Sequence, residues 1–262
     1  SLDYDEEINT KLVEYKPKLD KFGHINIYAD FETTTEGEKH IAYLCNIAGC
    51  NKTFIGENCG KTMLDYLVKK YKGANIRLIF HNAGYDLRFI FKYITHPELI
   101  ERGKSLLRGY GKYYYGKGQF IHLQIQDSYA LITSPLKDFK NMFGLEVKKE
   151  ILPYSLYTQK TVNEVFIDTE KCIEEVKYQY VKNNIGKEIN KDLQDEFVNE
   201  YLKNVKEWDC FSEDKKKINI IKYSAYYCKM DCEVLKSGYK MFVLLKVKKI
   251  KKKDYILWTK HF

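Results

Sequence analysis

The sequence predicts an α/β fold, and two observations carry that prediction. Segments with the two-residue alternation of strands come before and between segments with helical spacing. A short apolar strand over residues 76–80 leads through a polar loop, residues 81–86, into a helical pattern that continues to residue 94. Strand, loop and helix in that order are typical of α/β layers rather than of a helical bundle.

The first elements are predicted to be a three-strand antiparallel meander. Residues 24–32 alternate apolar and polar side chains and end in a run of three threonines, and residues 40–47 and 52–55 follow as strands. A helix is then predicted over residues 61–71, because its apolar residues share one face. These are Met63, Leu64, Leu67, Val68 and Tyr71.

The second half is predicted to change from hairpins to helices. Residues 104–127, rich in Gly and Tyr, favour hairpins, and Pro135 begins a short helix that ends at residue 143. Residues 160–245 are predicted to be almost entirely helical, and six lysines in residues 246–253 predict a frayed basic tail. We therefore expect a leader over 1–23, one domain over 24–245 with a helical insert at about 158–218, and a tail over 246–262.

Composition bounds the classes of protein that fit. The 262 residues carry 44 Lys and Arg against 36 Asp and Glu, a net charge of +8 that suits a polyanionic partner. A hydrophobic fraction of 44% excludes a disordered chain, and no apolar run has the ~18 residues that a membrane span needs. The acidic, polar start shows no signal-peptide pattern. The chain also lacks an initial Met, so we expect a fragment or a processed product.

The cysteines argue against a disulfide framework or a zinc ribbon. They number seven, an odd count, and none stands in a C-x-x-C pair. Reduced thiols in an intracellular protein are the interpretation that fits this pattern.

Four acidic residues stand at positions that suit a metal site. Asp30 and Glu32 flank Phe31 at a strand end, where residues i and i+2 point to one face. Asp86 follows a buried strand and is predicted to begin a helix, and Asp231 lies one helical turn after Tyr227. Hard oxygen donors without His or Cys favour Mg²⁺ or Mn²⁺ over Zn²⁺.

Each of these positions also has a plain structural interpretation. An Asp-x-Glu pair is often a solvated turn, and Asp86 by itself is typical of a helix N-cap. A tyrosine four residues before an aspartate in a helix often packs in a core beside a surface charge. Only the order of the four positions along predicted elements favours the metal site.

The same residues resemble the three exonuclease motifs of family B DNA polymerases, in particular the protein-primed branch of phages, linear plasmids and large viruses. Residues 29–35 are A-D-F-E-T-T-T, residues 80–86 are F-H-N-A-G-Y-D, and residues 227–231 are Y-C-K-M-D. A D-S-Y at 127–129 is similar to the family's segment that contacts single-stranded DNA. The run K-K-E-I-L-P-Y at 148–154 is similar to its lysine motif and points to Lys149.

The resemblance implies an RNase H-like mixed sheet flanked by helices, with the helical insert placed before the last motif helix. It also implies a 3′→5′ exonuclease that uses two Mg²⁺ or Mn²⁺ ions. Asp30 would bridge both ions, Glu32 and Asp231 would complete one site, and Asp86 would hold the other. Tyr227 would orient the attacking water, and Lys149 would offset the charge of the phosphate.

The resemblance further implies the substrate contacts and the partners. The residues that would contact the strand are Thr33, Asn82, Tyr85, Ser128 and Tyr129. The implied partners are a single-stranded DNA 3′ end, a polymerase domain and a terminal (priming) protein, with a larger assembly open and no membrane. Polymerase activity is not expected from this chain alone, because no Y-x-D-T-D motif follows.

Three questions stay open at this point. A non-catalytic nucleic-acid-binding or structural subunit derived from the exonuclease is the alternative function, and an RNA exonuclease is a weaker one. The insert is either a docking surface or a spacer. Residues 102–117, which interleave Lys and Arg with four tyrosines, are either part of a strand-binding groove or a hairpin with a tyrosine-rich core face.

Overall fold

The computed structural model describes Leu19 and residues 23–259, with side chains described as far as Lys249. Apart from Leu19 and Gly23, the predicted leader lies outside the described residues, and so do the side chains of the predicted tail beyond Lys249 and all of residues 260–262. Within the described residues, no helix combines the length and the low polarity needed to cross a membrane.

A seven-stranded mixed sheet forms the centre of the fold, in the order β3-β2-β1-β4-β7-β6-β5. Its strands are β1 (His24–Thr34), β2 (Ile41–Ile47), β3 (Phe54–Ile55), β4 (Asn75–Phe80), β5 (Ile94–Arg102), β6 (Ser105–Gly116) and β7 (Gln119–Asp127). Strands β1, β4 and β7 are parallel neighbours, whereas β2, β3, β5 and β6 run antiparallel to theirs. The predicted α/β class and the predicted antiparallel meander are confirmed.

The described helices are α1 (Cys59–Lys70), α2 (Ala83–Asp86), α3 (Phe139–Phe143), α4 (Gln159–Glu164), α5 (Thr169–Asn183), α6 (Lys191–Glu207) and α7 (Ile220–Thr259). Of these, α1 and α7 pack on opposite faces of the sheet. The predicted apolar face of α1 is buried in the main core, so the pattern that predicted this helix also predicted its orientation. On the other face, Cys232 and Leu235 of α7 pack against Tyr28 and Ile79.

The helix predicted to run from the loop to residue 94 is wrong. The chain makes the short α2 and then two 3₁₀ turns, Leu87–Phe89 and Phe91–Tyr93, before β5 begins at Ile94. Ile90, between the turns, is fully buried, and its methyl group lies so close to Gly60 of α1 that a Cβ there would sit 2.8 Å away. The close contact between Ile90 and α1 accompanies the break in the helical path.

Two short strands also interrupt the region predicted to be all helical. They are β8 (Phe166–Asp168) and β9 (Lys217–Asn219), which pair antiparallel. Three residues are too few to show the alternation by which a strand is predicted. The insert region, from α4 to β9, forms a second core with the first turns of α7, around Val176, Tyr201 and Tyr223.

The lysine-rich end differs from the predicted frayed tail as well. Its backbone continues α7 to Thr259, giving a helix of 40 residues. Residues 246–259 contain no Gly or Pro, and Lys and Leu are good helix formers.

Candidate active site

The four predicted carboxylates come together at the carboxyl ends of β1 and β4, beneath α7. One carboxylate oxygen each from Asp30 and Glu32 lies within 4.8 Å of the Cys228 thiol. Asp86, which ends α2 rather than beginning a helix, and Asp231 of α7 complete the group. Glu32, Asp86 and Asp231 are 6%, 3% and 2% exposed, so these are buried groups and not a solvated turn.

A bulge shapes the strand end that carries this group. The register of β1 against β2 shifts after Glu32, because Glu32 pairs with Leu44 and Thr33 pairs with Ala42. Tyr43 is the extra residue, and its hydroxyl lies 2.6 Å from Ser224 Oγ on α7. Bulges of this kind redirect side chains next to active sites. No pattern in the sequence predicted the bulge at Tyr43.

Burial raises the pKa values of all four carboxyls in this group. Burial, and then repulsion by Asp231, raises the pKa of Asp30 to about 7. Burial and the charge of Asp30 raise the pKa values of Glu32 and Asp86 well above the ordinary range. Asp86 Oδ1 and Asp231 Oδ1 are buried without a hydrogen-bond partner. A buried carboxylate oxygen without a hydrogen-bond donor favours a proton or a cation, and hard divalent cations suit the four carboxylates that adjoin the Cys228 thiol.

Asp86 is not the helix cap that its sequence position allowed. Its side chain caps no backbone N–H of the following 3₁₀ turn. The structural interpretation of Asp86 from the sequence is therefore not supported, and its carboxylate is directed to the cluster instead.

Lys149 and the buried Tyr227 lie beside the group. The Lys149 ammonium contacts Asp231 and lies 4.9 Å from the centre of the Tyr227 ring. Burial alone would lower the pKa of Lys149, but the charge of Asp231 raises it above the ordinary value. The Tyr227 hydroxyl lies 2.7 Å from the hydroxyl of Tyr154, which ends the motif at residues 148–154 and had no role assigned from the sequence.

Hydrogen bonds to Asp127 fix the backbone at Asn82 and Tyr129, two of the residues predicted to contact the DNA strand. Asn82 has a left-handed backbone, with φ of 75°, and its N–H donates to Asp127 Oδ1 at 2.8 Å. The same oxygen accepts the N–H of Tyr129 at 2.9 Å, so the buried Asp127 fixes both residues. Sequence reasoning did not assign Asp127 a role, although it begins the D-S-Y motif.

The remaining predicted contacts are a half-buried pair, Thr33 and Tyr85, and the buried Ser128. Tyr85 OH lies 2.7 Å from Thr33 Oγ1 and 2.8 Å from His40 Nδ1, at the edge of the group. Ser128 is fully buried, and its hydroxyl donates to the Phe80 carbonyl and lies 2.8 Å from His81 Nδ1. Ser128 thus lies beneath the loop and fixes it from below.

A cleft of about 460 Å³ adjoins the group. Its lining combines cations, rings and an amide and comes from His81, Asn82, Tyr129, Pro135, Leu136, Lys137 and Lys149. Sequence reasoning assigned no role to His81, which stands inside the motif at residues 80–86, or to Lys137, which lies outside the motifs. The cleft can accept an anionic chain with exposed bases at the edge of the carboxylates.

The insert contacts the segment that carries Lys149. Glu200 on α6 contacts Lys148, and Asn204 Nδ2 donates to Glu150 Oε2 at 3.0 Å. Further along, Ser155 Oγ donates to Glu175 of α5 at 2.5 Å. In this structure the insert is neither a detached spacer nor a free lobe, because it braces one wall of the candidate site.

Comparison with known proteins gives one family and a set of solved structures. Residues 68–253 match the model of the family described as DNA polymerase type B, organellar and viral. That range contains Asp86, Lys149, Tyr227 and Asp231 and begins after Asp30 and Glu32. A search of the curated proteins finds no match.

Two of the similar solved structures are of Phi29 DNA polymerase. One is complexed with primer-template DNA and incoming nucleotide substrates, with 16% identity over 84% of this chain and a TM-score of 0.45. The other is complexed with primer-template DNA, with 16% identity over 85% of this chain and a TM-score of 0.43. The chain spans 31% of the length of each.

Proposed function

Because this chain belongs to the organellar and viral type B DNA polymerases, we propose that it is their proofreading domain, a 3′→5′ exonuclease that removes nucleotides from single-stranded DNA ends. The observation that supports this most is the buried cluster of Asp30, Glu32, Asp86 and Asp231, in which two carboxylate oxygens have no partner. A purely structural role gives no reason to bury Glu32, Asp86 and Asp231 beside the half-buried Asp30, because uncompensated buried charges destabilise a fold.

The cluster fits the two Mg²⁺ or Mn²⁺ ions that the motifs imply. Asp30, Glu32 and Asp231 would hold one ion, with Asp30 shared, and Asp86 would hold the other. When bound, two such ions supply an activated water and stabilise the leaving 3′ oxygen. The raised pKa values of the carboxyls are consistent with acids that accept a cation in place of a proton.

The groups around the cluster then have separate tasks. The Lys149 ammonium offsets negative charge that develops on the scissile phosphate. The Tyr227 hydroxyl, held by Tyr154, orients the attacking water by a hydrogen bond. These residues act in a site closed on its protein side, where electrostatic interactions are stronger than in water.

The cleft beside the cluster would hold the 3′-terminal nucleotides. Tyr129 and Tyr85 provide rings on which bases stack, and Asn82 provides an amide beside them. Stacking accepts any base, as removal of mismatched ends requires. Asp127 and Ser128 contribute by fixing the loop from which Asn82 and Tyr129 project.

The proposal is tested by incubating the full chain with a 5′-labelled DNA oligonucleotide and Mg²⁺ or Mn²⁺. We expect a ladder of products shortened from the 3′ end, which disappears in Asp30→Ala and in Asp86→Ala. Glu38→Gln, at an exposed position just after β1, is the matched control and should keep the ladder. A ladder that is unchanged in both aspartate variants contradicts the proposal.

The same assay separates the alternatives. A chain that binds the oligonucleotide but cleaves it with neither ion supports a non-catalytic nucleic-acid-binding subunit. Faster cleavage of a ribo-oligonucleotide than of its deoxy counterpart supports an RNA exonuclease. The polymerase domain and the terminal protein remain predictions from the resemblance.

A further inference from the structure

The β6–β7 hairpin exposes aromatic and basic side chains at the edge of the sheet beyond β4, on the face that also carries Tyr28 and Asp30. We call this the hairpin face, and it consists of Arg108, Tyr110, Lys112, Tyr114, Phe120 and His122. The register places Lys112 opposite His122 and Tyr114 opposite Phe120. Residues directly opposite in antiparallel strands share a face, so these six side chains form one surface.

The opposite face of the same hairpin is an ordinary core. Tyr113, Ile121 and Leu123 are 2%, 1% and 2% exposed and pack in the main core. Tyr113 therefore fits the interpretation of residues 102–117 as a hairpin with tyrosines on its core face. The other rings do not follow it, because Tyr110, Tyr114 and Phe120 are 37%, 41% and 37% exposed.

Rings and cations alternate closely on the hairpin face. Lys112 Nζ lies 4.4 Å from the centre of the Phe120 ring, and Tyr114 and Phe120 have centroids 5.3 Å apart. Positions two residues apart along β6 are separated by roughly 7 Å. Opposite Tyr110, the neighbouring β5 presents Glu98, the acidic residue that the described register places on this surface.

We propose that the hairpin face binds single-stranded nucleic acid, as a second contact separate from the cleft at the carboxylates. Exposed rings stack with bases of any sequence, and adjacent cations neutralise the phosphates. A sheet surface with two or three aromatic residues is a solution used by RNA-binding domains. The core of a protein–protein interface is depleted in charge, whereas here cations stand among the rings. The inference goes beyond the exonuclease, because it assigns a binding surface that needs no catalysis.

The test measures binding without cleavage. Fluorescence anisotropy follows a labelled oligothymidylate of about 12 nucleotides, within the range of known single-strand sites, titrated with the full chain in EDTA. We expect Tyr114→Ala/Phe120→Ala to weaken binding about 10-fold or more, by loss of stacking. The log of the binding constant falls as the log of the salt concentration rises. In Arg108→Gln/Lys112→Gln this fall should be less steep, with a slope smaller in magnitude by about 0.7 for each charge removed.

Matched controls come from helix α5. Tyr178 is 53% exposed and has Lys182 5.9 Å from its ring centre, so Tyr178→Ala and Lys182→Gln remove the same chemistry from another surface. Both should leave the affinity and the salt slope unchanged. Circular dichroism melts confirm that each variant is folded.

Each outcome decides the proposal. Unchanged affinity and slope in both hairpin variants overturn it. If those variants keep the affinity but lose self-association in sedimentation, the face is a protein interface and the proposal is wrong. Binding is measured without metal, so it does not depend on cleavage. A chain that binds through this face but never cleaves DNA would contradict the proposed exonuclease function and leave the proposed binding surface supported.

Discussion

The carboxylate of Glu200 on α6 contacts the ammonium of Lys148, the chain neighbour of Lys149. Lys149 in turn contacts Asp231 on α7. The two adjacent lysines are therefore held by α6 on one side and by α7 on the other. The insert is therefore coupled to the position of the ammonium that we assign to the scissile phosphate. A residue far from the carboxylates in sequence and outside the recognised motifs can affect the rate through this contact.

Glu200→Gln is expected to lower kcat about 3- to 10-fold, because a displaced catalytic group costs rate while the fold persists. The pair is about 40% exposed on each side, so its loss should change the melting temperature little. Glu207→Gln, which removes the exposed pair with Lys203 on the same helix, is the control and should keep kcat. Equal kcat in both variants would show that the insert does not position Lys149.

Tyr227→Phe is expected to lower kcat about 100-fold, the usual loss when one oriented hydrogen-bond donor is removed. Tyr154→Phe removes the partner hydroxyl at 2.7 Å and should lower kcat by a smaller factor. Tyr226→Phe, whose ring stacks on Trp208 with centroids 5.3 Å apart, serves as the control. Single-turnover rates distinguish a loss in chemistry from a loss in binding, and full activity in Tyr227→Phe would contradict the assigned role.

Mn²⁺ is expected to raise the melting temperature of the metal-free chain, because a ligand that binds only the folded state stabilises it. Asp86→Asn should stabilise the metal-free chain, since burial and Asp30 disfavour the ionised carboxylate and an amide has no charge to desolvate. The same variant should weaken the response to Mn²⁺. A stabilisation of about 1 kcal/mol would raise the melting temperature by roughly 2–4 °C in a chain near this size. Differential scanning fluorimetry measures both effects, and a wild-type melting temperature that Mn²⁺ leaves unmoved would count against a metal site.

The metal-free chain should become less stable as pH rises from about 4 to about 7. The pKa of Asp30 is raised from 3.8 to about 7, so across this range the folded state binds a proton that the unfolded state has lost. The contribution of protonated Asp30 to the free energy of unfolding is therefore present at low pH and lost as pH approaches 7. Urea unfolding in EDTA at several pH values measures the trend. Saturating Mg²⁺ should flatten it, and stability that rises with pH over this range would contradict the raised pKa.

Asn82→Gly should keep the stability of the chain and weaken binding of the 3′ end. Glycine adopts a φ of 75° without strain, so the loop persists while the amide is lost. Asn82→Val adds the strain of a β-branched residue in a left-handed position, about 1–3 kcal/mol. The two variants should thus share a raised KM and differ in melting temperature. An unchanged KM in Asn82→Gly would remove Asn82 from the substrate contacts.

Patterns that depend on neighbouring residues could be predicted from the sequence. The buried face of α1 and the meander follow from local periodicity, and the motif spacing anticipated that Asp30, Glu32, Asp86 and Asp231 would meet. The turns over residues 87–93 could not be predicted, because they depend on the contact of Ile90 with Gly60, thirty positions earlier. The bulge at Tyr43 and the contacts between the insert and Lys148 also arise only from tertiary packing.

The seven cysteines have a practical consequence. All of them are buried and free, and all lie within the described residues. In the folded chain they are shielded from thiol-reactive dyes, so a single exposed position can be labelled without removing native thiols. A fluorophore attached through Tyr110→Cys would report directly when a strand reaches that surface of the sheet, and one attached through Tyr178→Cys would give the background signal.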